Sequence, residues 1–185
     1  MDTLPLVTET PDYPPAKFTC RDQETDSRAR REDVLSHIGR LRAGVSGVRT
    51  PARRALVDDR SPEEYSGDLK EHGNYPQRYL RRGHIPGAVS LPWAELLDTD
   101  CTFKSTAELD RILRSRKLTP DLDVIENTRI GERADVTWFV LHELMGFGKV
   151  HTYDGSWTER GNLIGMPIDN TTRPERRARE QRAFA

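Results

Sequence analysis

Long apolar runs are missing from this 185-residue sequence. No stretch of about 18 consecutive apolar residues occurs, as a membrane-spanning helix would require. Nor do the opening residues show the basic-then-apolar order of a secretory leader. A soluble, cytoplasmic chain that does not enter the membrane is therefore expected. Cysteine is almost as scarce. Cys20 and Cys101 are too few for a disulfide framework or a cysteine-ligated zinc site, so neither metal nor cofactor is expected. Net charge is also lacking: 29 basic residues face 30 acids, for a balance of −1. That leaves no global cationic field for nucleic acid. No dinucleotide-binding or phosphate-loop fingerprint is present either. Only five of the basic residues are lysine, a bias that reads as genome composition more than as arginine chemistry.

What is present is one core's worth of apolar residues, 35% of the chain, with 32% charged residues and a mean hydropathy of −0.76. The expected organisation is an extended lead-in over residues 1–27, a single domain over 28–170, and an Arg-rich, disordered tail over 171–185. Within the domain, Val34, Leu35, Ile38 and Leu41 fall at helical spacing, which predicts a helix from about residue 28 to a stop at Gly44. The short apolar run from Ala55 to Val57, ending on Asp58, reads as a buried strand. Ser61-Pro62-Glu63-Glu64 and Ser105-Thr106-Ala107-Glu108 each carry a serine three residues before a glutamate, the signature of a capped helix start. Further strands are expected over 88–91, from Asp123 with a C-terminal half that turns polar at Glu126-Asn127, and over 149–153, with a helix over 133–145 closed by Gly146. Strands alternating with capped helices predict an α/β fold with a parallel sheet covered on both faces. Ligands of such sheets sit beyond the carboxyl ends of the strands. That singles out the loops at residues 58–60, before Trp93, at 128–133 and at 154–157.

At these loops the sequence resembles a known family. The segments LVDDRSPEEYSG, RRGHIPGAVSLPWAE, TFKSTAELDRIL and TRIGERADVTWFVLHELMGFGKVHTYDGSWTERGNLIGMPI, in that order, are similar to the C-terminal, catalytic half of a tandem-domain rhodanese, a thiosulfate or mercaptopyruvate sulfurtransferase. The resemblance spans residues 56–168. It implies the rhodanese-like three-layer fold, a five-stranded parallel sheet with helices on both faces, whose active loop follows the fourth strand. In the family that loop opens with a cysteine. Its thiolate, with pKa lowered by converging backbone N–H groups, accepts a sulfur atom as a persulfide. This chain carries Thr128 there, followed by Arg129, Ile130, Gly131, Glu132 and Arg133. A threonine hydroxyl neither ionises near neutrality nor carries sulfur reversibly. Asp58, Arg60, His84, Trp93, Asp154 and Trp157 match the family pattern, whereas Asp59, Glu126, Asn127 and Asp135 depart from it.

The departures add three carboxylates near the pocket. Glu126, Asp135 and Asp59, with Thr128, are the candidate catalytic residues, because carboxylates in unlike environments suit general acid–base work. Asp58, Arg60, His84, Asn127, Trp157 and the run from Arg129 to Arg133 are the candidate substrate-binding residues, the arginines holding an anionic group. Plainer roles compete with each. Glu126 can pair with Arg129 or Arg133, Asp135 can merely favour a helix start, Asp59 can face solvent, and Thr128 can cap a turn. Three functions stay open. The first is a repurposed enzyme acting on a small anionic or polar metabolite. The second is a non-catalytic module that binds a ligand, a protein partner or a second copy of itself. The third is residual sulfur transfer through another thiol.

Overall fold

A computed structural model of the chain describes residues 12–17, 19, 27–43, 53–68 and 79–170. The expected stop at Gly44, Cys20, most of the lead-in and the Arg-rich tail lie outside these residues. Five strands form one sheet: β1 (Arg28–Ala29), β2 (Arg54–Asp58), β3 (Val89–Ser90), β4 (Asp123–Asn127) and β5 (Lys149–Tyr153). Their order is β1-β5-β4-β2-β3 and all neighbours run parallel. The helices are α1 (Arg31–Ala43), α2 (Pro62–Ser66), α3 (Thr106–Ser115), α4 (Ala134–Phe139) and α5 (Ser156–Arg160). A 3₁₀ turn, Trp93–Leu96, follows β3, and a π-helical turn, Val140–Leu144, continues α4.

Alternation along the central strands divides the core in two. Val57, Val124 and Val150 face Leu109 and Leu113 of α3 and Val140 and Leu141 beyond α4. Leu56, Ile125 and Tyr153 face Val34 and Ile38 of α1 and Trp157 of α5. Both faces are thus covered, which is why β4 is buried along its whole length.

The two capping boxes form as their sequences require. Ser61 Oγ accepts from Glu64 N–H at 3.3 Å, and the Glu64 carboxylate accepts from Ser61 N–H at 3.1 Å. Ser105 and Glu108 repeat the arrangement. Two local expectations change, in the first helix and in the helix over 133–145. The first helix begins at Arg31, because Arg28 and Ala29 pair with Thr152 and Tyr153 as an edge strand. The β4 strand runs through its polar end Glu126-Asn127 as expected, because both find polar neighbours across the sheet. The 133–145 helix changes winding at Val140, where Met145 N–H reaches back to the Val140 carbonyl at 2.9 Å.

Leu109 is fully buried between α3 and the sheet. Leu109→Ala should cost about 2–5 kcal/mol of unfolding free energy by urea denaturation. A loss below about 1 kcal/mol would show that this face is not close-packed.

Candidate active site

The carboxyl ends of β2 and β4 meet the loop at 128–133, and α5 closes over them. Asp59 N–H donates to the Asn127 carbonyl at 3.0 Å, extending the β2–β4 ladder by one bond. Trp157 N–H donates to the Thr128 carbonyl at 2.8 Å, and Thr158 N–H donates to the Arg129 carbonyl at 3.0 Å. The start of the loop is therefore tied to both the sheet and α5. Gly131 carries the turn at φ +112°, a backbone angle that strains any side-chain-bearing residue.

The candidate residues separate by sheet face. On the α1–α5 face, Arg60 donates to both Asp58 oxygens, at 2.9 and 2.7 Å, and to the Gly83 carbonyl at 2.8 Å. Its guanidinium lies 4.1 Å from the Trp157 ring centroid. Asn127 donates to Asp58 Oδ2 at 3.1 Å. All four side chains are buried, and their charges and donors are largely used on one another. His84 stacks on Tyr65 at 3.8 Å, and its Nδ1 lies 2.9 Å from the Tyr65 carbonyl. Burial lowers its pKa. The structure places these residues as ties within the scaffold. Gly83 beside them is obligatory, since a Cβ would stand 2.1 Å from the Asp169 carbonyl oxygen.

The opposite face is different. Glu126 stands in register between Val57 and Thr152, and Thr152 Oγ1 donates to Glu126 Oε1 at 2.6 Å. Its partner is thus a threonine, since Arg129 pairs with Glu132 at 3.0 Å and Arg133 with Glu64 at 2.9 Å. Glu126 Oε2, both Asp59 carboxylate oxygens and Thr128 Oγ1 are buried without a hydrogen-bond partner. Asp59 does not face solvent; it is fully enclosed. Burial raises its pKa to about 7; the nearby Thr128 hydroxyl opposes the rise, Asp58 adds to it, and Arg133 and Arg60 pull it down. Glu126 is raised well above the ordinary carboxylate range, first by burial and further by Asp59 and Asp135, against the Thr152 hydrogen bond. Asp135 lies in the first turn of α4 and is exposed.

Cys101 is exposed on a left-handed turn before α3, at φ +67°, its N–H bonded to the Asp98 carbonyl. Among the described residues, no group of three or more His, Cys, Asp or Glu is arranged to hold a metal ion. Sequence reasoning missed two members of the site. Glu64 was legible as a cap, yet the Oε2 that completes the capping box also accepts from Arg133 and so tethers the loop to α2. Thr152 is visible only from strand register.

Comparison with known proteins places this geometry. The model of the rhodanese-like domain matches residues 45–161. The chain belongs to the rhodanese-like family. It is 46% identical over 165 residues to the "Sulfur carrier protein TtuD" of Thermus thermophilus, covering 89% of this chain and 55% of that protein. It is 39% identical over 170 residues to a "Putative thiosulfate sulfurtransferase" of Mycolicibacterium smegmatis, covering 91% and 57%. The chain thus spans little more than half the length of these relatives. Among solved structures, the anaerobic ergothioneine biosynthesis enzyme of Chlorobium limicola shares the fold, with a TM-score of 0.64, 21% identity, and coverage of 79% of this chain and 32% of that one. The five-stranded all-parallel sheet with helices on both faces is the fold that the resemblance implies. No helix among the described residues is long and apolar enough to cross a membrane.

The raised carboxyl groups fix a pH dependence for this rhodanese-like domain. Between the ordinary value of 3.8 and about 7, folded Asp59 holds its proton more tightly than the unfolded chain does. Stability is therefore greatest below that window, falls as pH rises through it, and levels off above it. Asp59→Asn should remove the part of this fall that Asp59 contributes, leaving the part that raised Glu126 contributes, and be more stable than the parent at pH ~8, by an amount on the order of a few kcal/mol. Urea unfolding on either side of the window checks it. Parallel pH profiles for the two proteins would contradict the assignment.

Proposed function

We propose that this rhodanese-like domain performs carboxylate proton chemistry on a small anionic or polar metabolite, in place of sulfur transfer through a loop thiolate. The observation that carries the reading is Asp59, whose two carboxylate oxygens are buried without a hydrogen-bond partner; burial pushes its pKa up to about 7, where a general acid or base works best at neutral pH. The resemblance aligns Thr128 with the position of the sulfur-bearing cysteine, and an alcohol cannot accept a sulfane sulfur. Glu126, held protonated by burial, is a proton donor whose free Oε2 is not tied to the sheet. Exposed Asp135, in the first turn of α4, adds to the upward shift of Glu126. Arg129 supplies the positive charge for the metabolite: its Nη2 pairs with Glu132, but its buried Nε and Nη1 have no acceptor, whereas Arg133 is engaged by buried Glu64.

The test has two arms. After incubation with thiosulfate, intact-mass analysis should show no added sulfur atom on the parent protein, whereas Thr128→Cys should gain one. With a panel of small 2-oxo acids in deuterium oxide, proton NMR should detect exchange at the carbon next to the carbonyl, lost in Asp59→Asn. Sulfur loading of the parent on Cys20 or Cys101, or exchange unchanged in Asp59→Asn, would refute the proposal.

A further inference from the structure

A carboxyl group that works as acid and base exchanges its proton with solvent in every cycle. Asp59 has no exposed surface through which to do so. Both of its carboxylate oxygens are buried without a hydrogen-bond partner, so the proton has to pass through the side chains around it.

Strand register identifies the side chain best placed for that passage. Glu126 stands opposite Val57 on β2 and Thr152 on β5. Asp59 lies two residues beyond Val57, and its N–H bond to the Asn127 carbonyl carries the β2–β4 pairing past Asp58. Side chains alternate along a strand, so Val57 and Asp59 share one face of the sheet with Glu126. Strands about 4.8 Å apart with a rise of about 3.3 Å per residue make Asp59 and Glu126 diagonal neighbours. Thr152 Oγ1 holds Glu126 Oε1 at 2.6 Å, while Oε2 is buried and free. Burial, and after it the charges of Asp59 and Asp135, keep a proton on Glu126 against the Thr152 hydrogen bond. Of the two carboxylates that act on Glu126, Asp59 is enclosed and Asp135, in the first turn of α4, is exposed. The helix bearing Asp135 covers this face: Thr137 is fully buried, and Val140 just beyond it packs with Val124 and Val150. The other charged groups that act on Asp59 offer no route. Asp58 is paired with Arg60, and the guanidinium groups of Arg60 and Arg133 do not release protons near neutrality.

We propose that Glu126 is a proton relay between enclosed Asp59 and solvent-exposed Asp135. The proposal rests on the reading that Asp59 is the working acid and base. Glu126 acts through Asp59, as a positioning residue for its proton. To recharge the Asp59 carboxylate, Glu126 gives up its proton as Asp135 delivers another taken from solvent. One O–H bond breaks at Glu126 for each that forms there, and no charge is left on it. The reverse sequence discharges Asp59.

Time-resolved infrared spectroscopy after a rapid drop in pH through the Asp59 midpoint reads this uptake, in the carboxyl band that Asp59→Asn removes. Glu126→Gln keeps an oxygen for Thr152 but cannot pass a proton on. It should slow uptake by about a hundredfold, with midpoint and melting temperature near the parent's. Asp135→Asn should slow uptake too, and the double variant should be no slower than Glu126→Gln alone, because both residues lie on one route. Uptake in Glu126→Gln as fast as in the parent, or slowing in the double variant equal to the product of the single effects, would overturn the relay. Asp59 would remain the working group in that case, provided that its midpoint lies at about 7. A parent midpoint in the ordinary carboxylate range would instead overturn the proton chemistry, and the relay with it.

Discussion

Desolvation at the carboxyl ends of β2 and β4 governs this molecule. Five consecutive or cross-strand neighbours, Asp58, Asp59, Arg60, Glu126 and Asn127, are polar or charged and fully buried. The fold answers the problem twice, once on each face. Asp58 is answered by pairing, with a guanidinium, an amide and an aromatic face completing its surroundings. Glu126 and Asp59 have threonine hydroxyls beside them and no ion pair, and the charges of Arg133 and Arg60 offset the burial of Asp59 only in part. Proton uptake is the remaining way to avoid a buried charge, which is why both titrate high.

The division follows from the pleat. Residues 58 and 127 are cross-strand partners on one face, and residues 57 and 126 on the other. An ion pair on the first face cannot serve a carboxylate on the second. The scaffold can therefore keep its Asp58–Arg60 tie while the adjoining face acquires different chemistry. The loop links the faces. Arg133 reaches Glu64 of α2, and the Thr128 and Arg129 carbonyls are held by α5. Glu64 belongs to a capping box, so the order of a five-residue helix and the placement of the loop are mechanically joined.

Much of the fold was legible in the sequence, because it rests on local signals. The serine–glutamate boxes marked α2 and α3, and the apolar run 55–57 marked β2. The edge strand at Arg28 was hidden, because two polar-flanked residues carry no periodicity and only their pairing with β5 defines them. The polar end of β4 was visible as such, but Thr152 and Asp58, which bond Glu126 and Asn127, were not. At the site, the clustering of acidic departures was readable. The partners were not: Glu126 turned to Thr152 across the sheet, and Arg133 to Glu64 of α2. Such contacts depend on register and helix placement, which no residue spacing encodes.

The account stands on a carboxyl group that keeps its proton into the neutral range because water is excluded and the charges of Arg133 and Arg60 offset that burial only in part. Carbon-13 NMR of the aspartate side-chain carboxyl carbons, with Asp59 assigned by its loss in Asp59→Asn, measures this directly. A midpoint for Asp59 at about 7 is the predicted result. A midpoint near its ordinary value of 3.8 would contradict it.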